Sequence, residues 1–232
     1  MKIIYLLWKP ATETFETFAQ TLRKIRIPAL LAYGAKTCTL NLTDVAPSAL
    51  ARPRADGSEL SALVSVEIAS QDKAQAQAIA KILDPTLQQI AGYIVDEALP
   101  ADYQKSWPDG ECSPGAKQIT LLRRKPGLSD EQFRHCWHDI HTPLAMEIHP
   151  LWRYSRNVVL SAITPGAPDY EGIVELHIRD KATLLDPMKF FGSPQNIQRI
   201  AADVTQWIDM ERIEVYNMSE YVLKSGCCSC SH

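Results

Sequence analysis

Nothing in this 232-residue chain is arranged to cradle a phosphate. Its 10 glycines never take the spacing of a nucleotide loop, no nucleophile elbow appears, and Gly115-Ala116-Lys117 is not a phosphate loop. Excess charge is also lacking. With 24 basic against 27 acidic side chains the net is −3, so the surface as a whole attracts neither nucleic acid nor an anionic membrane. Long hydrophobic runs are missing: the apolar start MKIIYLLWKP is too short for a span. Lys9-Pro10 ends it without a small-residue cleavage site, which reads as a cytoplasmic protein. Cysteine supplies no disulfide framework, because Cys38, Cys112 and Cys136 are isolated and Cys227, Cys228 and Cys230 crowd into the last six residues. That tail lacks the paired spacing of a structural zinc site and reads as a disordered segment, 226–232, with reactive thiols. No metal site and no cofactor are expected.

What is present is an order that occurs twice. The first half reads strand (3–8), helix (14–26), strand (36–42), strand (62–68), helix (72–83) and strand (92–98). The second reads strand (118–124), helix (130–141), strand (153–160), strand (172–178), helix (194–208) and strand (212–221). Each is a β-α-β-β-α-β unit, the ferredoxin-like order, in an α+β chain. Phe18, Leu22, Ile25 and Pro28 each stand 115 positions before Phe133, Trp137, Ile140 and Pro143. Glu67 and Asp72-Lys73-Ala74 precede Glu175 and Asp180-Lys181-Ala182 by 108, so the first half carries the longer middle loop, 44–59, an exposed segment holding Pro47, Pro53 and Gly57. The turn-rich stretch 101–116 reads as a linker. The domains are therefore 1–112, an N-terminal repeat plus linker, and 113–225, a C-terminal repeat.

The best-specified element is the helix from Asp130. Ser129 and Gln132 fit a capping box, and Phe133, Cys136, Trp137 and Ile140 recur as one buried stripe that His141 continues. Pro143 disfavours helical geometry at Thr142, which places His141 in a fraying last turn facing both core and pocket. His135 and His138 lie off the stripe and read as solvated, as do Arg123 and Arg124 at a strand end.

His141 is the leading functional candidate. An imidazole with a pKa near ~6.5 exchanges protons at working pH, although the same ring can simply fix the turn before Pro143. Its counterpart in the first half is Arg26, so the repeats differ where chemistry is expected, unless Arg26 only answers a helix dipole. Strand parity sets Val174, Leu176 and Ile178 against their own helices, and Ile173, Glu175 and His177 on the barrel face with Glu67 offered opposite. A carboxylate beside an imidazole makes an acid–base pair or a buried network. Tyr154 and Asn157 can orient a phenol or ketone, but three apart on one strand they face opposite sides.

Arg123-Arg124-Lys125-Pro126-Gly127-Leu128-Ser129, Phe133, Trp137, His141-Thr142-Pro143-Leu144-Ala145, Arg153-Tyr154 with Asn157, and Tyr170-Glu171-Gly172-Ile173-Val174-Glu175-Leu176 together resemble the EthD family of the dimeric α/β-barrel superfamily. The resemblance implies two ferredoxin-like repeats packed face to face as an intramolecular dimeric barrel. A pseudo-dimer within one chain thus replaces a homodimer, with room for a further homodimer. It also implies a small hydrophobic oxygenated ligand, aromatic or polyketide-like. The first expectation is a cofactor-independent cyclase, dehydratase, isomerase or oxygenase with His141 as proton carrier and Tyr154 or His177 assisting; Trp137 and Asn157, with Glu175 and Glu67 from strand parity and Arg26 from the repeat comparison, are the binding candidates. The alternatives are a non-catalytic carrier or accessory protein of a degradation pathway and, as in some superfamily members, haem binding.

Overall fold

The structure is a computed structural model that describes residues 1–47, 49–52, 54, 58–86 and 88–226. The cysteine-rich tail, and Pro53 and Gly57 of the long loop, lie outside the described residues. The first half runs β1 (Lys2–Leu7), α1 (Phe15–Thr21), a π-helical turn (Leu22–Arg26), α2 (Ile27–Ala32), β2 (Thr37–Leu42), β3 (Ala62–Glu67), α3 (Lys73–Leu83) and β4 (Ile90–Ala101). The second runs β5 (Ala116–Leu122), α4 (Asp130–His135), a second π-helical turn (Cys136–His141), α5 (Thr142–Ile148), β6 (Arg153–Ala162), β7 (Gly172–Ile178), α6 (Lys181–Leu185), α7 (Pro187–Phe191), α8 (Pro194–Trp207) and β8 (Glu214–Lys224).

The eight strands close into one antiparallel barrel in the order β1-β3-β2-β8-β5-β7-β6-β4. Within each half the order is that of a ferredoxin-like sheet, with the first strand between the fourth and the third. The two sheets also join edge to edge. Thr39–Leu42 of β2 pair with β8, and Tyr93–Ala98 of β4 pair with β6, so no open sheet edge remains between them. The barrel is therefore continuous, beyond the face-to-face packing expected from the resemblance.

Period-2 alternation divides the core. Ile4, Leu6, Leu63, Ile119, Leu121, Ile173 and Met218 fill the interior. Val174, Leu176 and Ile178 face outward under the second half's helices with Phe133, Trp137 and Trp207, and Ile3, Tyr5, Leu40 and Val64 do the same in the first half. Burying apolar side chains on both faces of the sheet is what makes the strands nearly continuous hydrophobic runs.

The helix from Asp130 does not end at His141, as the sequence predicts. Ser129 caps it as expected: Gln132 N–H donates to Ser129 Oγ at 3.1 Å and Ser129 N–H to Gln132 Oε1 at 2.8 Å. Pro143 then sits in the first turn of α5, and the chain passes it through the π turn. Pro143 has no N–H and its ring would crowd the carbonyl four residues back. Thr142 N–H instead reaches Trp137 O, five residues back, and Ile27 N–H reaches Leu22 O ahead of Pro28 in the same way.

One extra residue in the turn shifts the buried face by one position. Trp137 is followed inward by Thr142, Ala145 and Ile148, and Leu22 by Ile27 and Leu30. Ile140 and Ile25, which a 3.6 period places inside, are 48% and 60% exposed. The long loop is only partly on the surface. Val45 is buried, and Arg52 exchanges backbone hydrogen bonds with Val215 of β8 at 3.1 and 3.0 Å, because this segment covers the second half's helix-side core, where it would otherwise be open.

Candidate functional site

The π turn sets His141 at the margin between core and surface, its side chain 16% exposed. Its Nδ1 lies 2.7 Å from Asp203 Oδ2 on α8. A carboxylate only accepts here, so Nδ1–H donates and, in the neutral ring, Nε2 keeps its lone pair. Asp203 also faces Trp207 one turn on, whose Nε1 is 3.5 Å from the same oxygen. The His141 ring is 5.3 Å from that of Trp207.

This pair borders a cavity of about 170 Å³ between the outer face of the second half's sheet and its helices. Leu122, Trp137, Val174, Leu176, Phe190, Phe191, Val204, Trp207 and Val215 make it apolar, and Leu50 and Arg52 of the long loop close one side. Its polar groups are His141, His149, Gln118, Thr120 and Arg52. His149 Nδ1–H donates to Phe190 O at 3.1 Å, and the ring stacks on Phe190 at 4.2 Å. Burial lowers its pKa to about 4, so it stays neutral. Gln118 is 6% exposed, and its Nε2 has no hydrogen-bond partner among the described residues.

A second, larger cavity of about 360 Å³ opens at one end of the barrel. Glu175 and Glu67 both line it, Glu67 exposed and Glu175 buried, as strand parity predicts. Most of its charges are paired: Lys117 Nζ holds Glu175 Oε2 at 2.6 Å and also Glu220, Lys2 meets Glu97 and Arg153 meets Asp102. Burial opposes ionisation of Glu175 and Glu220, but Lys117 between them wins and keeps both carboxyls down at about 2, while burial is likewise outweighed in raising Lys117. Asn157 donates to Glu175 Oε1 at 3.3 Å and to Ile173 O at 3.0 Å. His177 Nε2–H donates to Pro114 O at 2.8 Å, with Nδ1 3.6 Å from Glu220, and burial lowers its pKa to about 4. The buried part of this end is an ion-pair network, with Glu67 and Lys224 at its exposed margin.

The structure thus brings His141 and Trp137 together at the smaller cavity, and Glu175, Glu67, Asn157 and His177 at the barrel end. Tyr154 does neither: it is fully buried behind the π turn, its hydroxyl 3.5 Å from Thr142 Oγ1. Tyr154 and Asn157 do face opposite sides of β6. Arg26 lines a separate cavity of about 280 Å³ in the first half, with Phe18 and Leu22. His138, expected in solvent, is half-buried with Nε2 unpaired, because the π turn rotates it toward the body, and burial lowers its pKa. Arg123 is also covered, its guanidinium 4.4 Å above the Tyr170 ring and bonded to Asp169, because β5 is an interior strand flanked by β7 and β8 and not an edge.

Sequence reasoning misses Asp203, His149, Gln118 and Lys117. For Lys117 a signal exists, since it shares the inward parity of Ile119 and Leu121. Asp203 has only its four-residue spacing from Trp207, and its partner lies 62 residues away.

A closed eight-stranded antiparallel barrel sheathed by helices is a fold similar to that of dimeric α/β-barrel proteins. Residues 125–211, within the second half, match the EthD domain model. No curated protein matches the chain. Among solved structures it is similar to an anthrone oxidase-like protein, with TM-score 0.62 and 10% identity over 98% of this chain and 95% of that one. It also resembles two candidate monooxygenases. One, from Lactobacillus acidophilus, has TM-score 0.50 and 8% identity over 96% of both chains. The other, from Fusobacterium nucleatum, has TM-score 0.50 and 12% identity over 96% and 91%. These likenesses are of fold. No helix among the described residues is long and apolar enough to cross a membrane.

Proposed function

We propose that the chain binds a small hydrophobic oxygenated molecule in the cavity beside His141 and acts on it by proton transfer without a cofactor, as a cyclase, dehydratase or isomerase does, or as an oxygenase does when molecular oxygen is the co-substrate. One observation carries this reading: the imidazole of His141, held by Asp203 at 2.7 Å, borders an apolar cavity of about 170 Å³. Asp203 fixes the tautomer that leaves Nε2 free and stabilises the imidazolium once a proton arrives. Nε2 takes a proton from an acidic hydroxyl, or from a carbon beside a carbonyl, and returns it elsewhere on the ligand, against a wall of Trp and Phe rings.

The same element order and matching π turns before Pro28 and Pro143 support reading the halves, 1–112 and 113–225, as copies of one ferredoxin-like unit. The first supports the barrel, with Arg26 in place of His141. The cavity beside His141, at about 170 Å³, is smaller than a porphyrin needs.

The test is turnover of oxygenated aromatics by the purified chain and by His141→Ala. Loss of turnover with an unchanged far-ultraviolet spectrum is expected, and an unaltered rate removes His141 from the chemistry. A carrier would bind ligand with no proton exchange, seen calorimetrically as a binding heat independent of the buffer.

A further inference from the structure

This inference rests on the reading above and narrows the ligand. His141 and His149 border the same cavity with their Nδ1 sides already engaged, by Asp203 Oδ2 at 2.7 Å and Phe190 O at 3.1 Å. Each neutral ring therefore presents Nε2 as an acceptor and has no donor to offer. The Phe190 carbonyl cannot release a proton, so the His149 tautomer is as firmly set as that of His141. A ligand that satisfies both rings brings two donors.

Position adds to this. Gln118 pairs with Leu176 and Leu122 with Gly172, so the two rungs stand four residues apart along β5, about 13 Å. Trp137 covers the Gly172 rung: a Cβ on Gly172 would lie 2.5 Å from its ring. His149 belongs to the other end, three residues before Trp152, whose N–H bonds His177 O next to Leu176. Trp137 and Trp207 form one wall of the cavity with His141 beside Trp207, and Gln118 and His149 lie toward the Leu176 rung. At about 170 Å³ it suits one ring, the size class of a cavity that accepts benzene.

We infer that the ligand is a single-ring phenol with two hydroxyl groups, one donated to His141 Nε2 and the other to His149 Nε2, and that His149 is a specificity-determining binding residue. The ring packs toward Trp137 and Trp207, and the unpaired amide of Gln118 lies beside the oxygen-bearing edge.

Titration calorimetry on the full chain tests this with ligands of matched shape: meta-xylene, meta-cresol and resorcinol, and ortho-xylene, ortho-cresol and catechol kept from air. Replacing methyl by hydroxyl changes the donor count and hardly the size. In at least one series the diol is expected to bind about three- to tenfold tighter than its cresol, the range of one neutral hydrogen bond. His149→Phe, which keeps the stacking on Phe190, is expected to abolish that ratio while cresol binding persists.

Cresols binding as well as diols in both series, or a ratio unchanged in His149→Phe, overturns the inference and leaves the ligand cavity standing. Failure of every ring compound to bind overturns the cavity reading itself. The wild-type ratios decide the matter if His149→Phe does not fold.

Discussion

His141 and Asp203 are 62 residues apart in the chain and 2.7 Å apart in space, one at the end of a π turn and the other on the last helix of the same half. The contact ties the two helices that roof the cavity, and it decides which imidazole nitrogen carries the proton. Asp203→Ala removes the acceptor that holds the proton on Nδ1, so the Nε2-protonated tautomer of His141 is expected to gain population. Long-range nitrogen–proton NMR at a pH where the ring is neutral reads the tautomer directly. Turnover is expected to fall about ten- to a hundredfold, as when an orienting partner is lost. The same tautomer in both proteins would mean that Asp203 is only a surface contact.

Gly172 leaves room for the Trp137 ring, with no space for a Cβ. Gly172→Ala is expected to push the indole into the cavity, costing about 1–3 kcal/mol of stability by overpacking and weakening ligand binding several-fold. Urea unfolding and calorimetry check the two effects. A variant with native stability and native affinity would show that Trp137 does not form the cavity wall.

At the barrel end, Lys117 holds two buried carboxylates at once. Lys117→Met leaves Glu175 and Glu220 buried without the cation that pairs with both, with an expected loss of about 3–5 kcal/mol. Adding Glu175→Gln and Glu220→Gln is expected to restore at least half of it, since uncharged amides need no counter-ion. If the triple variant is no more stable than Lys117→Met alone, the network is not what Lys117 supports.

Acid stability follows from buried groups of two kinds. His149 and His177 have pKa values lowered by burial to about 4, so between roughly 6.5 and 4 the unfolded chain binds more protons than the folded one. Their contribution is complete above pH 6.5 and lost as pH falls through that window, at roughly 1.4 kcal/mol per pH unit for each ring. Glu175 and Glu220, held near about 2 by Lys117 against the cost of burial, add a second loss below roughly 4.5. Denaturant unfolding from pH 8 to pH 3 is expected to show stability flat above 6.5 and falling below it. A stability independent of pH between 6.5 and 4 would contradict the burial of both rings.

The strands and their facing were legible in the sequence because period-2 alternation survives in β5, β6 and β7. Val174 and Leu176 meet helices, Ile173 and Glu175 meet the barrel interior, and Tyr154 and Asn157 part company. Helical period misled at one place, the same in each half: a π turn before Pro28 and Pro143 adds a residue, and so Ile25 and Ile140 face solvent. No local pattern announces a π turn except the proline that follows it. His141 was legible as a candidate, but its partner was not, because Asp203 reaches it only through the packing of α8. The division of the candidates between two cavities is equally tertiary, since Glu175 and His141 are separated by the thickness of the sheet.

The most direct measurement of the central claim is a crystal structure of the chain soaked with resorcinol. Ligand density packed against Trp137 and Trp207, with an oxygen within hydrogen-bond reach of His141 Nε2, is the expected result. Density at the barrel end beside Lys117 and Glu175, with the space around His141 unoccupied at the same resorcinol concentration, would contradict it.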